Sequence, residues 1–148
     1  IKEDINLQYG KGQILKEGSK DGNNAGGNVA IIAVGSMVEE TYKAIDMLEK
    51  ENVHPAFVNP VFIKPMDTEL IKRVAENHKH IIVVEEGIKK GGFGESVETF
   101  ILESGIDADV QVMAIDDRFV EQGNVALLRE EIGISYKNIY EKVMELTR

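Results

Sequence analysis

Short, nearly continuous apolar runs recur along this chain, and amphipathic stretches separate them. The clearest runs are residues 29–34, 81–84 and 110–115. Runs of this length without polar alternation are typical of parallel strands that are buried on both faces. Another strand is expected over residues 56–58, continued through an irregularity at Pro60 to residues 61–63, and a weaker candidate is an edge strand over residues 13–17.

Helical patterns lie between these runs. Residues 38–48 repeat apolar side chains at helical spacing, and Ser36 with Glu39 matches a capping box before them. Asp67 is placed to cap a second helix. Further helices are expected after the glycine-rich residues 91–94, over residues 125–132, and from Ser135 onward. The alternation predicts a three-layer α/β/α fold with a mostly parallel sheet of five strands.

Charge and composition exclude several classes of partner. The 148 residues include 26 acidic and 17 basic side chains, for a net charge of -9. This balance disfavours binding to nucleic acid or to an anionic membrane surface, both of which require clustered Lys and Arg. No apolar run approaches the roughly 20 residues of a membrane helix. The absence of cysteine excludes disulfides, and we expect a cytoplasmic protein.

The residues that follow each strand are the candidates for binding, because ligands of open α/β sheets lie beyond the carboxyl ends of the strands. Gly35 and Ser36 open a helix, where free N–H groups can hold an anion, and Lys64 would add a positive charge. The alternative is that Ser36 only caps its helix.

No catalytic set is apparent in the sequence. Glu85 and Glu86 are adjacent on a strand and should point to opposite faces, which does not suit a catalytic pair. Residues 92–97 match part of a dinucleotide fingerprint, but Val97 stands at the third glycine position. The chain has three histidines, His54, His78 and His80. His78 and His80 could face the same side of a strand start, but the sequence suggests no third ligand that would complete a metal site with them. We therefore predict no catalytic, cofactor-binding or metal-binding residue in this chain.

Several segments together resemble a known family. These are residues 10–18, 62–67, 84–87 with 91–94, and above all 117–123 (Asp-Arg-Phe-Val-Glu-Gln-Gly). The chain resembles the C-terminal domain of the transketolase-like thiamine enzymes, most closely that of the 1-deoxy-D-xylulose-5-phosphate synthase family. It departs from that family at Ile115 and Asp116, where Leu-Pro is usual, and at Gln122, where His is common.

The resemblance implies a linker over residues 1–9 and a transketolase C-terminal-like domain over residues 10–148, with the first strand antiparallel at one edge. The parent enzyme would join pyruvate to glyceraldehyde 3-phosphate with loss of carbon dioxide, using thiamine diphosphate and Mg²⁺ on other domains. The chain itself would hold no cofactor, and alone it would be inactive.

The same resemblance implies a role in assembly, with the catalytic domains of the same polypeptide and a second subunit of a homodimer as partners. The expected contact residues are Gly91, Gly92, Phe93, Gly94, Arg118, Phe119, Glu121, Gln122 and Gly123. Three alternatives stay open. They are the same domain of a transketolase or of a 2-oxo-acid dehydrogenase β subunit, a stand-alone anion-binding module, and a protein-interaction module.

Overall fold

The computed structural model describes residues 12–18, 26–60, 65–88, 91–115 and 134–147 of the chain. Five strands and four helices lie in these residues. The strands are β1 (Gln13–Lys16), β2 (Val29–Ala33), β3 (Ala56–Asn59), β4 (His80–Ile88) and β5 (Asp109–Ile115). The helices are α1 (Met37–Glu49), α2 (Thr68–Asn77), α3 (Phe93–Glu103) and α4 (Tyr136–Thr147).

The strands form one mixed sheet in the order β1-β3-β2-β4-β5. β2 lies at the centre and pairs in parallel with β3 and β4, so that Ile31 stands between Phe57 and Ile82. β5 extends the parallel part beyond β4, and β1 runs antiparallel to β3 at the opposite edge. The predicted fold class, including its antiparallel edge strand, is confirmed.

Two hydrophobic layers enclose the sheet, and all five residues of β2 are buried. Ile31 and its neighbours on that face pack with α1 and α4, whereas Ile32 belongs to the layer formed with α2 and α3. A strand buried on both faces has no position for a polar side chain, which explains the continuous apolar run. Among the described residues, no helix is both long enough and apolar enough to cross a membrane.

Two buried carboxylates connect segments that are far apart in the sequence. Asp67 caps α2 as predicted, because its Oδ1 accepts a hydrogen bond from Leu70 N at 3.1 Å. Its Oδ2 accepts from Gly12 N at 2.9 Å and so holds the start of β1 against α2. Glu40 of α1 accepts from Tyr136 N, also at 2.9 Å, and thereby caps the first turn of α4.

One predicted helix cap and two element boundaries differ from the sequence prediction. Ser36 forms no capping bond to its helix, so the predicted capping box with Glu39 is wrong. β4 continues through residues 85–87 to Ile88, and α3 already begins at Phe93. The expected helix at residues 125–132 and the continuation of β3 at residues 61–63 lie outside the described residues.

Candidate functional site

A crevice opens where the chain leaves β2 and β4 in opposite directions. β2 leads into α1 on one face of the sheet, and β4 leads into α3 on the other face. Such a divergence between neighbouring parallel strands is the usual ligand position in open α/β sheets. The cavity there measures about 440 Å³, and its lining residues are Val34, Gly35, Ser36, Glu85, Glu86, Gly87, Gly91, Gly92 and Phe93.

Glu85 joins the end of β4 to the start of α3. Its side chain is only 4% exposed, and its carboxylate accepts a hydrogen bond from Gly94 N. Burial raises the pKa of the Glu85 carboxyl above its usual 4.5, because a charge is poorly solvated there. The N–H groups of Gly94 and Phe93 offset part of this rise in the pKa, and the nearby Glu95 charge adds to it.

Glu86 makes the corresponding contact on the other face of the sheet. Its carboxylate accepts a hydrogen bond from the hydroxyl of Ser36, just before α1. The side chains of Glu85 and Glu86 thus diverge as strand geometry requires, Glu85 toward α3 and Glu86 toward α1. Both nevertheless line the crevice, because the crevice lies across the end of the strand.

The glycines of the α3 approach serve close packing. A Cβ placed on Gly94 would lie 2.4 Å from Cγ1 of Val112 on β5, so no larger residue fits without movement. Gly91 has a φ of 75°, a conformation that favours glycine, and its N–H donates to Glu95 Oε1 at 3.0 Å. The backbone of residues 91–94 therefore lies close against the sheet. Glu85 and Glu95 hold it there by accepting hydrogen bonds from Gly94 N and Gly91 N.

The described residues that line the crevice carry only negative charge. Of the described lining residues, the ionisable ones are the two carboxylates Glu85 and Glu86. No group of three or more His, Cys, Asp or Glu side chains within the described ranges could hold a metal ion. His80 instead contacts Asp109, and His78 contacts the carbonyl of Val74. Among these described residues, a phosphate or diphosphate would meet like charge.

The structure brings together most of the predicted residues that it describes. Gly35 and Ser36 of the predicted anion site share the crevice with the contact residues Gly91, Gly92 and Phe93, and Gly94 lies directly behind it. The other predicted residues lie outside the described part of the chain: Lys64, Arg118, Phe119, Glu121, Gln122 and Gly123. The anion site and the contact surface both stay predictions.

Glu85 is the residue whose role was not foreseen. From the sequence, Glu85 is predicted only to be half of an unsuitable acid/base pair at the end of an apolar run. A carboxylate that follows a buried strand and precedes a glycine-rich helix start was a usable signal, because helix N–H groups require acceptors.

Comparison with known proteins assigns the chain to a family. The model of the transketolase C-terminal domain family matches residues 14–139. This chain belongs to the transketolase C-terminal domain family. As a transketolase C-terminal domain it has relatives among curated bacterial proteins that are named 1-deoxy-D-xylulose-5-phosphate synthase.

Two of these relatives show the extent of the match. The synthase of Dehalococcoides mccartyi strain 195 is 37% identical over 143 residues, which are 95% of this chain and 21% of the relative. The synthase of Brevibacillus brevis is 37% identical over 150 residues, covering 99% of this chain and 23% of the relative. This transketolase C-terminal domain thus spans about a fifth of the length of the curated relatives it matches.

Solved structures agree with the family. A split-gene transketolase, described as an inactive beta4 tetramer, superposes with a TM-score of 0.82 at 28% identity. The match covers all of this chain and 46% of that one. The transketolase of Campylobacter jejuni has a TM-score of 0.62 at 21% identity over 92% of this chain and 18% of that one, which supports the fold alone.

Proposed function

We propose that this chain is the non-catalytic assembly domain at the C-terminus of a 1-deoxy-D-xylulose-5-phosphate synthase. The proposal rests on the coverage of the sequence match. The match to the synthase of D. mccartyi includes 95% of this chain but only 21% of that synthase. The whole protein would convert pyruvate and glyceraldehyde 3-phosphate into 1-deoxy-D-xylulose 5-phosphate and carbon dioxide. A cytoplasmic location stays a prediction.

The crevice geometry favours a role in packing over a role in chemistry. Glu85, Glu86 and Glu95 each accept a hydrogen bond from a neighbouring N–H or hydroxyl group. Carboxylates engaged in this way hold two strand ends and two helix starts in place. A site formed mainly by backbone, with its polar groups already bonded, is a rigid surface on which another domain can pack.

Thiamine diphosphate and Mg²⁺ do not fit the residues described here. The diphosphate would require cationic or N–H donors, whereas the ionisable groups among the described lining residues of the crevice are two carboxylates. Since no metal-binding group of three side chains occurs in the described ranges, we assign both cofactors to the remainder of the protein. No step of the reaction is assigned to this chain.

Removal of the domain from the complete natural protein tests the proposal. We expect the complete protein to form 1-deoxy-D-xylulose 5-phosphate with thiamine diphosphate, and the protein truncated before residue 10 to lose its dimer on size-exclusion chromatography with light scattering. Activity with donor and acceptor sugars instead of pyruvate would identify a transketolase. A natural protein of only this length, saturable with inorganic phosphate, would support the stand-alone anion-binding module.

Two predicted contact residues allow a sharper test. We expect the double substitution of Arg118→Ala and Phe119→Ala in the complete protein to weaken dimerisation at least about tenfold, because arginine and aromatic residues often dominate the binding energy of an interface. Lys72→Gln is a suitable control, since Lys72 is exposed on α2 and forms an ion pair with Glu76. An intact dimer that has lost turnover would instead place these residues at the reacting centre.

A further inference from the structure

A second cavity lies near the opposite end of the sheet, between the edge strand β1 and helix α2. It measures about 500 Å³, within the usual range of small-molecule sites. Its lining residues are Ile14, Glu17, Gly27, Val58, Arg73, Val74, Asn77 and His78. We refer to it as the β1–α2 groove. None of these residues belongs to the crevice at the carboxyl ends.

The floor of the β1–α2 groove is apolar. Ile14 and Val58 are directly paired across β1 and β3, so their side chains share one face, and Val74 of α2 lines the same groove. Ile14 is 38% exposed and is one of three large apolar side chains that are exposed in the described residues. An exposed aliphatic side chain over an open cavity provides a surface for the apolar body of a ligand.

The polar rim comes from the last turns of α2 and is already ordered. Asn77 Nδ2 donates to the carbonyl of Arg73 at 2.7 Å, and His78 Nδ1 lies 2.8 Å from the carbonyl of Val74. Both side chains thus satisfy carbonyls at the helix C-terminus, which offsets the negative end of the helix. With Nδ1 as the donor to this carbonyl, Nε2 of a neutral His78 is an acceptor.

Arg73 supplies the positive charge of the groove. Its side chain is exposed, and within the described part of the chain its guanidinium forms no ion pair or hydrogen bond. Its neighbour Lys72 is paired with Glu76 at 3.9 Å. Glu17, which also lines the groove, has an interaction partner of its own. Arg73 is therefore accessible to an anionic ligand from the groove.

We infer that the β1–α2 groove binds a small aliphatic carboxylate. The guanidinium of Arg73 receives the carboxylate in a two-pronged contact, a geometry for which arginine is suited. The aliphatic chain lies on the exposed Ile14, above the buried Val58 and Val74. Nε2 of His78 accepts a hydrogen bond from a hydroxyl group, which favours hydroxy acids over simple acids. This inference is independent of the assembly role, since it involves the other end of the sheet.

Calorimetric titration of the complete protein with hexanoate, 2-hydroxyhexanoate and 1-hexanol tests the inference. We expect saturable binding of both acids, tighter binding of the hydroxy acid, and no saturable binding of the alcohol. Arg73→Gln should weaken hexanoate binding about tenfold, as expected for loss of a charge-assisted contact. The matched control Lys72→Gln, one residue away on the same helix, should leave the affinity unchanged.

Two further variants separate the parts of the site. Ile14→Ser should weaken both acids equally, whereas His78→Phe should remove the preference for the hydroxy acid without abolishing hexanoate binding. Absence of saturable binding to the unmodified protein would overturn the inference, as would equal losses in the Arg73 and Lys72 variants. Unchanged dimerisation and turnover in the Arg73 variant would leave the assembly proposal standing in either case.

Discussion

The two cavities at opposite ends of the sheet differ in what their polar groups do. In the crevice at the carboxyl ends, Glu85 and Glu86 are bonded to Gly94 and Ser36. In the β1–α2 groove, Arg73 has no partner within the described residues. At the usual ligand position of an open α/β sheet, the described carboxylates are therefore engaged in internal hydrogen bonds, whereas the opposite end holds a cation that has no partner among the described residues. The position of a cavity in the fold makes it a candidate binding site. Whether its polar side chains are already hydrogen-bonded within the protein distinguishes a structural role from a binding role.

The largest expected effect comes from the backbone contact behind the crevice. Gly94→Ala places a Cβ 2.4 Å from Val112 Cγ1 and 3.0 Å from Glu85 Oε2. Because valine is rigid and belongs to the sheet, α3 has to move, and we expect a loss of about 3 kcal/mol in the free energy of unfolding. This loss exceeds the gain of about 1 kcal/mol that alanine usually brings within a helix.

Gly87→Ala is the matched control for that substitution. It lines the same crevice, but the nearest atom to its added Cβ is Glu85 Oε1 at 3.4 Å, an ordinary contact. Urea denaturation of both variants should show a clear separation. Equal stability of the two would mean that the close approach of α3 to β5 contributes little, and the crevice could then not be described as a rigid joint.

The second largest effect is expected from Asp67, which lies near the carboxyl end of β3, and it is compared with the effect of changing Arg73 in the groove. Asp67→Ala removes the acceptor of both Leu70 N and Gly12 N, and we expect it to cost about 2 kcal/mol. Arg73→Gln, on the same helix, should change the free energy of unfolding by less than about 0.5 kcal/mol. Thermal or urea denaturation checks both values, and a destabilising Arg73 variant would show that its charge serves the fold.

The smallest effect is a dependence of stability on pH at Glu85. Its pKa is raised in the folded chain, so the folded state holds the proton more tightly than the unfolded state, where the pKa is about 4.5. This contribution is therefore fully present below pH 4.5 and is lost as the pH rises through the higher pKa of the folded state. Stability should fall across that window for this reason.

Glu85→Gln isolates this contribution, because glutamine keeps the acceptor for Gly94 N and cannot ionise. We expect the difference in stability between the variant and the unmodified protein to change with pH above 4.5 and to be constant below it. Glu86→Gln is the control, since Glu86 is less buried on the same strand. A difference that is flat over the whole range would show that Glu85 is as well solvated as an exposed carboxylate.

Local pattern is sufficient to place most elements of this chain. A strand buried on both faces has to be apolar throughout, so residues 29–34 and 81–84 could be read directly. Asp67 could be assigned as a cap because the N–H groups it serves lie within one helical turn. The family resemblance at residues 84–94 likewise uses adjacent residues. Such interactions are local, so they can be predicted from the periodicity and spacing of residues in the sequence.

The strand order, the partners of the buried carboxylates and the two cavities required the folded chain. Periodicity shows which side chains share a face, but not which strands are neighbours. The sequence predicts that Ser36 caps its helix, yet the hydroxyl of Ser36 donates a hydrogen bond to Glu86, 50 residues away. Gly12 and Asp67 are 55 residues apart, and Glu40 and Tyr136 are 96 apart. Hydrogen bonds across such separations depend on how the layers pack together, and no local pattern in the chain specifies them.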